Sequence, residues 1–138
     1  MRFICFALFF LLPVSALAQQ RDSHFESYGS YQSFVDSRIA NRDFIDLIQV
    51  LGGRDEYTIE QLNGVQNRFM SVYSEDFTSR AVIKKVDLGE KFYQEMRVYW
   101  REDGGYVYFY ALLHDRGDTL VVLTFTLNSD VSKVLAEF

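Results

Sequence analysis

The sequence predicts an α+β fold in which three N-terminal helices pack on a four-stranded antiparallel meander. Two observations carry this reading. Residues 91–101, 106–114 and 119–127 alternate in hydrophobicity along their length, and Glu102-Asp103-Gly104-Gly105 and Asp115-Arg116-Gly117-Asp118 separate them as turns do. Ahead of them, Ile59, Leu62, Val65, Phe69 and Val72 recur at steps of three and four behind Thr58-Ile59-Glu60-Gln61, a capping-box pattern.

Residues 1–18 stand apart from the fold. Arg2 is followed by an apolar run over 3–12 and then by Pro13-Val14-Ser15-Ala16-Leu17-Ala18, the pattern of a secretory signal with an A-x-A cleavage site. The run is about half the roughly twenty residues that a membrane-crossing helix needs. A signal of this kind implies an exported protein, periplasmic or secreted, with no membrane anchor after cleavage. Residues 19–29 are polar and lack an apolar period, so they read as a flexible leader, and 30–138 as one α+β domain.

Within that domain, Ser33 and Asp36 suggest a capped first helix over 30–40, with Phe34, Val35 and Ile39 on one side. Asn41-Arg42-Asp43 breaks the period and offers a cap to a second short helix carrying Phe44, Ile45, Leu47, Ile48 and Leu51. Gly52-Gly53 ends it, as a left-handed residue does. The third helix covers 59–73. Residues 78–87 read as the first strand, with Leu88-Gly89 as its turn.

Composition narrows the chemistry. The only cysteine and the only proline, Cys5 and Pro13, lie in the signal segment 1–18, so the remaining chain has no disulfide, thiolate nucleophile or thiolate metal site. Arg2 is the sole charged residue there, which leaves an acidic domain one unit more negative than the −5 of the whole chain. An acidic chain without a Lys/Arg cluster is a poor partner for nucleic acid. His24 and His114 are the only histidines, and no serine-hydrolase elbow, phosphate-binding loop, dinucleotide fingerprint or metalloprotease motif appears. The sequence therefore assigns no catalytic residue, metal or cofactor.

The sheet divides into two lists if both hairpins close on two residues. Phe92, Gln94, Met96, Val98, Trp100, Val107, Phe109, Ala111, Leu113, Leu120, Val122, Thr124 and Thr126 then share a face without an ionisable group, which suits the helix side. Tyr93, Arg97, Tyr99, Arg101, Tyr106, Tyr108 and Tyr110 gather on the other face with Glu95 and His114. Tyrosine and arginine are enriched where proteins meet, so this face reads as a surface for a homodimer or another protein, unless the leader, the last helix or the tail 131–138 covers it. A three-residue turn at either hairpin would redistribute both lists.

Phe34-Val35, the Asn41-Arg42-Asp43-Phe44 corner, Leu47, Leu51, the Thr58-x-Glu60-Gln61-Leu62 start and the following meander together resemble small exported members of the nuclear-transport-factor-2-like superfamily. A cystatin-like roll is the rival arrangement. The resemblance covers about residues 31–128 and implies a curved sheet around a cone-shaped pocket. In this chain such a pocket would be lined by Gln94, Met96, Trp100, Phe109, Thr124 and Thr126. The leading functional expectation is a non-enzymatic binding domain for a small apolar ligand in that pocket, or for a partner on the Tyr/Arg face. The alternative is an isomerase- or hydrolase-type enzyme using His114, Asp43 or Asp46 at the pocket mouth.

Overall fold

A computed structural model describes residues 21–138, and the export signal assigned to 1–18 lies outside the described residues. The fold is α+β, with helices followed by an antiparallel sheet. The sheet has five strands: β1 (His24–Phe25), β2 (Ser79–Gly89), β3 (Phe92–Trp100), β4 (Tyr106–Asp115) and β5 (Leu120–Asn128), ordered β1-β5-β4-β3-β2. Helices α1 (Tyr28–Ala40), α2 (Phe44–Ile48) and α3 (Ile59–Val72) precede the meander, and a short α4 (Val131–Leu135) follows it.

The extra strand comes from the stretch whose polarity suggested a leader. His24 and Phe25 pair with Val121 and Leu120, and Phe25 is buried against the rings of Tyr31 and Phe34. Helix α1 accordingly starts earlier than its pattern indicates. Ser27 is the cap, exchanging bonds with Ser30 at the N3 position, and Ser33 lies inside the helix.

The corner after α1 is sharp because Arg42 takes a left-handed backbone (φ 59°). Its guanidinium bonds Asp76 and the carbonyl of Tyr73, tying the corner to the end of α3. Asp43 then caps α2, and Gln66 of α3 reaches across to accept from the Phe44 N–H and donate to the Arg42 carbonyl. A π-helical turn over Gln49–Gly53 closes α2, with Gly52 at φ 118°. A Cβ there would lie 2.6 Å from Ser23 Oγ, so the position needs glycine on two counts. Helix α3 begins as its sequence indicates, with Thr58 and Gln61 capping each other reciprocally.

The first hairpin departs from the two-residue expectation, and the second keeps a two-residue turn but closes one position later than Arg116-Gly117. Between β3 and β4 the loop is Glu102-Asp103-Gly104, with Gly104 left-handed, and Trp100 faces Tyr106. That is the three-residue turn with a bulge, and it inverts the parity of β4 relative to β3. Arg97 therefore stands opposite Phe109, Tyr99 opposite Val107 and Tyr93 opposite Leu113. Between β4 and β5 the tight turn falls at Gly117-Asp118, and Leu123 is an extra residue between Val122, paired with Leu113, and Thr124, paired with Leu112.

The core follows from this corrected register. Tyr99, Val107, Phe109, Ala111, Leu113, Leu120 and Val122 pack with Tyr31, Val35, Ile39, Phe44, Leu47 and Leu51. The expectation of a helix-facing list without ionisable groups is overturned, because β3 turns Tyr93, Glu95, Arg97 and Tyr99 toward α1. Met96 and Tyr110 lie on the opposite face beneath Val134 of α4. The tail thus closes that side, with the Gln94 amide donating to the Tyr110 hydroxyl and the Glu137 carbonyl.

Candidate functional site

Two places gather chemistry. The first is a knot of charge under α1. Glu95 is 0 % exposed, Arg97 2 % and Asp36 6 %, so none of the three is solvated. Arg97 donates Nε to Glu95 Oε1 at 2.6 Å, Nη1 to Asp36 Oδ1 at 3.1 Å and Nη2 to the Tyr28 hydroxyl at 2.9 Å. Tyr28 and Tyr31 each donate to Glu95 at 2.8 Å, and Tyr99 donates to Asp36 at 2.6 Å. Arg80, at the rim, forms an ion pair with the other Asp36 oxygen at 3.0 Å.

Local sequence sets this up. Alternation puts Glu95, Arg97 and Tyr99 in one row on β3, and helical spacing stands Tyr28, Tyr31 and Asp36 over them. Two carboxylates face Arg97 and Arg80, so the knot is balanced in charge and every member has a bonded partner. Burial pulls the Arg97 pKa down, but the hydrogen bond and charge of Glu95 outweigh it and hold the guanidinium well above its ordinary value. Burial, then the Glu95 bond and charge, push Tyr28 up to about 12. Tyr31 and Tyr99 are raised by burial first and by Glu95 and Asp36 respectively. With these groups committed to one another, the knot pins α1 to the sheet.

The second place is a cavity of about 380 Å³ between the α2–α3 layer and β5. Ile48 and Leu51 of the α2 turn, Leu62, Val65 and Phe69 of α3, and Leu123, Phe125 and Leu127 of β5 supply its apolar walls. It exists because α3 presents an amphipathic stripe that the sheet does not fully cover. Only Leu62 of that helix is buried. The extra residue Leu123 adds a side chain to the β5 wall. Ser23, Glu56, Tyr57 and Thr124 are the polar lining residues, and the Ser23 hydroxyl donates to the Leu51 carbonyl at 3.0 Å.

Of the residues that the sequence placed in a pocket, Thr124 lines this cavity. Phe109 is in the core, Gln94 and Met96 lie beneath the C-terminal tail, Trp100 stacks near Tyr106, and Thr126 donates to the Glu137 carboxylate. The Tyr/Arg set is divided by the sheet. Tyr93, Arg97 and Tyr99 face α1, Tyr108 and Tyr110 pack with α4, Tyr106 is exposed, and Arg101 pairs with Asp103 at the hairpin. His114 stacks on Phe92, and Asp43 and Asp46 both engage Arg38, so none of the three lines the cavity.

Sequence reasoning did not assign a site to Asp36 or Glu95, nor a pocket wall to α3. For Asp36 a signal was present, since it sits beside the stripe Tyr31, Val35 and Ile39. Among the described residues no cluster of three or more His, Cys, Asp or Glu could hold a metal, and no helix is long and apolar enough to cross a membrane. The chain matches no known family, no curated protein and no solved structure.

Proposed function

We propose that the protein binds a small, largely apolar molecule in the groove between α3 and β5. The observation that carries this reading is the cavity itself. Its volume falls in the roughly 300–1,000 Å³ range of ligand pockets, and its make-up of apolar walls with a few polar groups is the usual one for such sites. Glu56 and Thr124 suit a ligand that carries hydrogen-bond donors, and Tyr57 offers a ring to its apolar body. The cavity brings together groups for holding and orienting, which favours binding over catalysis.

The order of helix, corner, helix, capped helix and meander, with a cavity between helices and sheet, supports reading the chain as a relative of the nuclear-transport-factor-2-like superfamily. With residues 1–18 as an export signal, the ligand would be met in the periplasm or outside the cell.

Titration with the apolar dye N-phenyl-1-naphthylamine tests the groove. Wild type should enhance its fluorescence saturably, and Val65→Trp, which puts an indole into the cavity, should weaken the signal strongly at unchanged melting temperature. Leu135→Thr, on the exposed side of α4, serves as the control and should bind as wild type does. Equal dye binding by V65W, or none by wild type, sinks the reading.

A further inference from the structure

The eleven residues of β2 form the longest strand of the sheet, and among the described residues they lie at its edge with nine of them exposed. The other edge, β1, is only two residues long. A long free edge presents a row of unpaired N–H and C=O groups, and proteins normally blunt it with charge or cover. Here the central apolar residues Val82 and Ile83 are exposed, as is Leu88. The two lysines that would guard the edge fold back over its faces. Lys84 Nζ lies 3.9 Å from the Phe138 ring, and Lys85 Nζ lies 4.4 Å from the rings of both Tyr28 and Tyr93.

We propose that this edge is a self-association site, at which two copies of the chain pair their β2 strands antiparallel about a two-fold axis with Arg80 of each opposite Asp87 of the other. The register follows from the bulge at Ile83. Before it, Arg80 and Val82 point to the helix side, opposite Tyr99 and Arg97. After it, Lys85 and Asp87 do so, opposite Glu95 and Tyr93. A continuous sheet must set helix-side residues against helix-side residues, and an isologous contact repeats each pair twice.

Near the centre of the strand only two registers meet that condition. One opposes Arg80 to Lys85 and is rejected by like charge. The other opposes Arg80 to Asp87, Ala81 to Val86, Val82 to Lys85 and Ile83 to Lys84, with no like charges directly opposite and the two Lys84 set diagonally across the axis, where each is drawn aside onto its own Phe138 ring. The strand is therefore complementary to itself, which is what selects a second copy over a foreign strand. Arg80 can serve both contacts, since only its Nε is spent on Asp36 and its side chain stays more than half exposed.

Sedimentation velocity of the purified protein across a concentration series tests this. Wild type should pass from monomer to dimer and no further. Asp87→Arg should weaken the dimer by about tenfold or more, because the change sets like charges opposite at two places. Asp87→Glu should leave it near wild type. Asp87→Ser, which still offers an oxygen to the Gly89 N–H that Asp87 bonds at 2.8 Å, replaces D87R in the comparison if circular dichroism shows that D87R does not fold. A wild type monomeric at every concentration, assembly beyond the dimer, or a dimer indifferent to these substitutions overturns the proposal.

Discussion

Arg97 donates its Nε to Glu95, two residues away on the same strand and the same face, at 2.6 Å, and both side chains are closed off from water. Removing one partner of such a pair strands the other charge in a medium that cannot solvate it. Arg97→Met should therefore destabilise the fold by about 3–5 kcal/mol in guanidinium denaturation. Changing Asp36, Glu95 and Arg97 together to leucine or methionine should recover much of that loss, because no buried charge is then left unpaired and Arg80, which loses Asp36, is exposed. A loss below about 1 kcal/mol in R97M would show that the knot does not hold α1 to the sheet.

The tyrosines around this pair should make the fold sensitive to alkaline pH. Tyr28 and Tyr93 are each pushed from 10.0 up to about 12, by burial first and then by Glu95. A raised pKa means that the folded state holds the proton more tightly than the unfolded one. The stability it confers is whole below pH 10 and is lost as pH rises from 10 toward 12. Phenolate absorbance at 295 nm should show these tyrosines ionising near 12, and the unfolding free energy should fall across that window. Titration of Tyr28 and Tyr93 at pH 10 contradicts the account.

Gln66 joins two helices through one amide, accepting from the Phe44 N–H at 3.0 Å and donating to the Arg42 carbonyl at 2.7 Å. Gln66→Ala leaves a helix N-terminal N–H and a corner carbonyl without protein partners. The expected cost is about 1–3 kcal/mol by urea denaturation, and Gln66→Glu, which keeps the acceptor for Phe44 but turns a carboxylate oxygen toward the Arg42 carbonyl, should also destabilise. Full stability in Q66A would mean that water replaces both bonds at no cost.

How much of this was legible in the sequence depends on the range of the interaction that decides each feature. Capping is local, so Thr58 with Gln61 and the Asp43 cap of α2 follow from a few neighbouring residues. Strand existence is nearly as local, and the three alternating runs of the meander formed close to their expected bounds. Face assignment hangs on a single residue in a turn. One more residue in the Glu102-Asp103-Gly104 loop than a two-residue turn allows exchanges the inward and outward rows of β4 against β3. Ranking rows by apolarity then favoured Met96 and Val98 over Glu95 and Arg97, because the partners that make a charged row tolerable inside, Asp36, Tyr28 and Tyr31, lie some sixty residues away. The cavity was hidden for the same reason, since its walls come from elements far apart in the chain.

Helix α3 carries a kinetic consequence. Its ties to the rest of the fold are few: the Gln66 amide, the Arg42 guanidinium on Met70 Sδ and on the Tyr73 carbonyl, the Phe69 ring 4.5 Å from that of Phe44, the Tyr73 hydroxyl on the Tyr106 carbonyl and the single buried Leu62. Such a helix can open as a unit while the sheet stays closed. In amide hydrogen exchange its protons should be replaced together and well before those of β3 and β4, and whatever enters the groove should slow them. The wall of the cavity and its door would then be the same element.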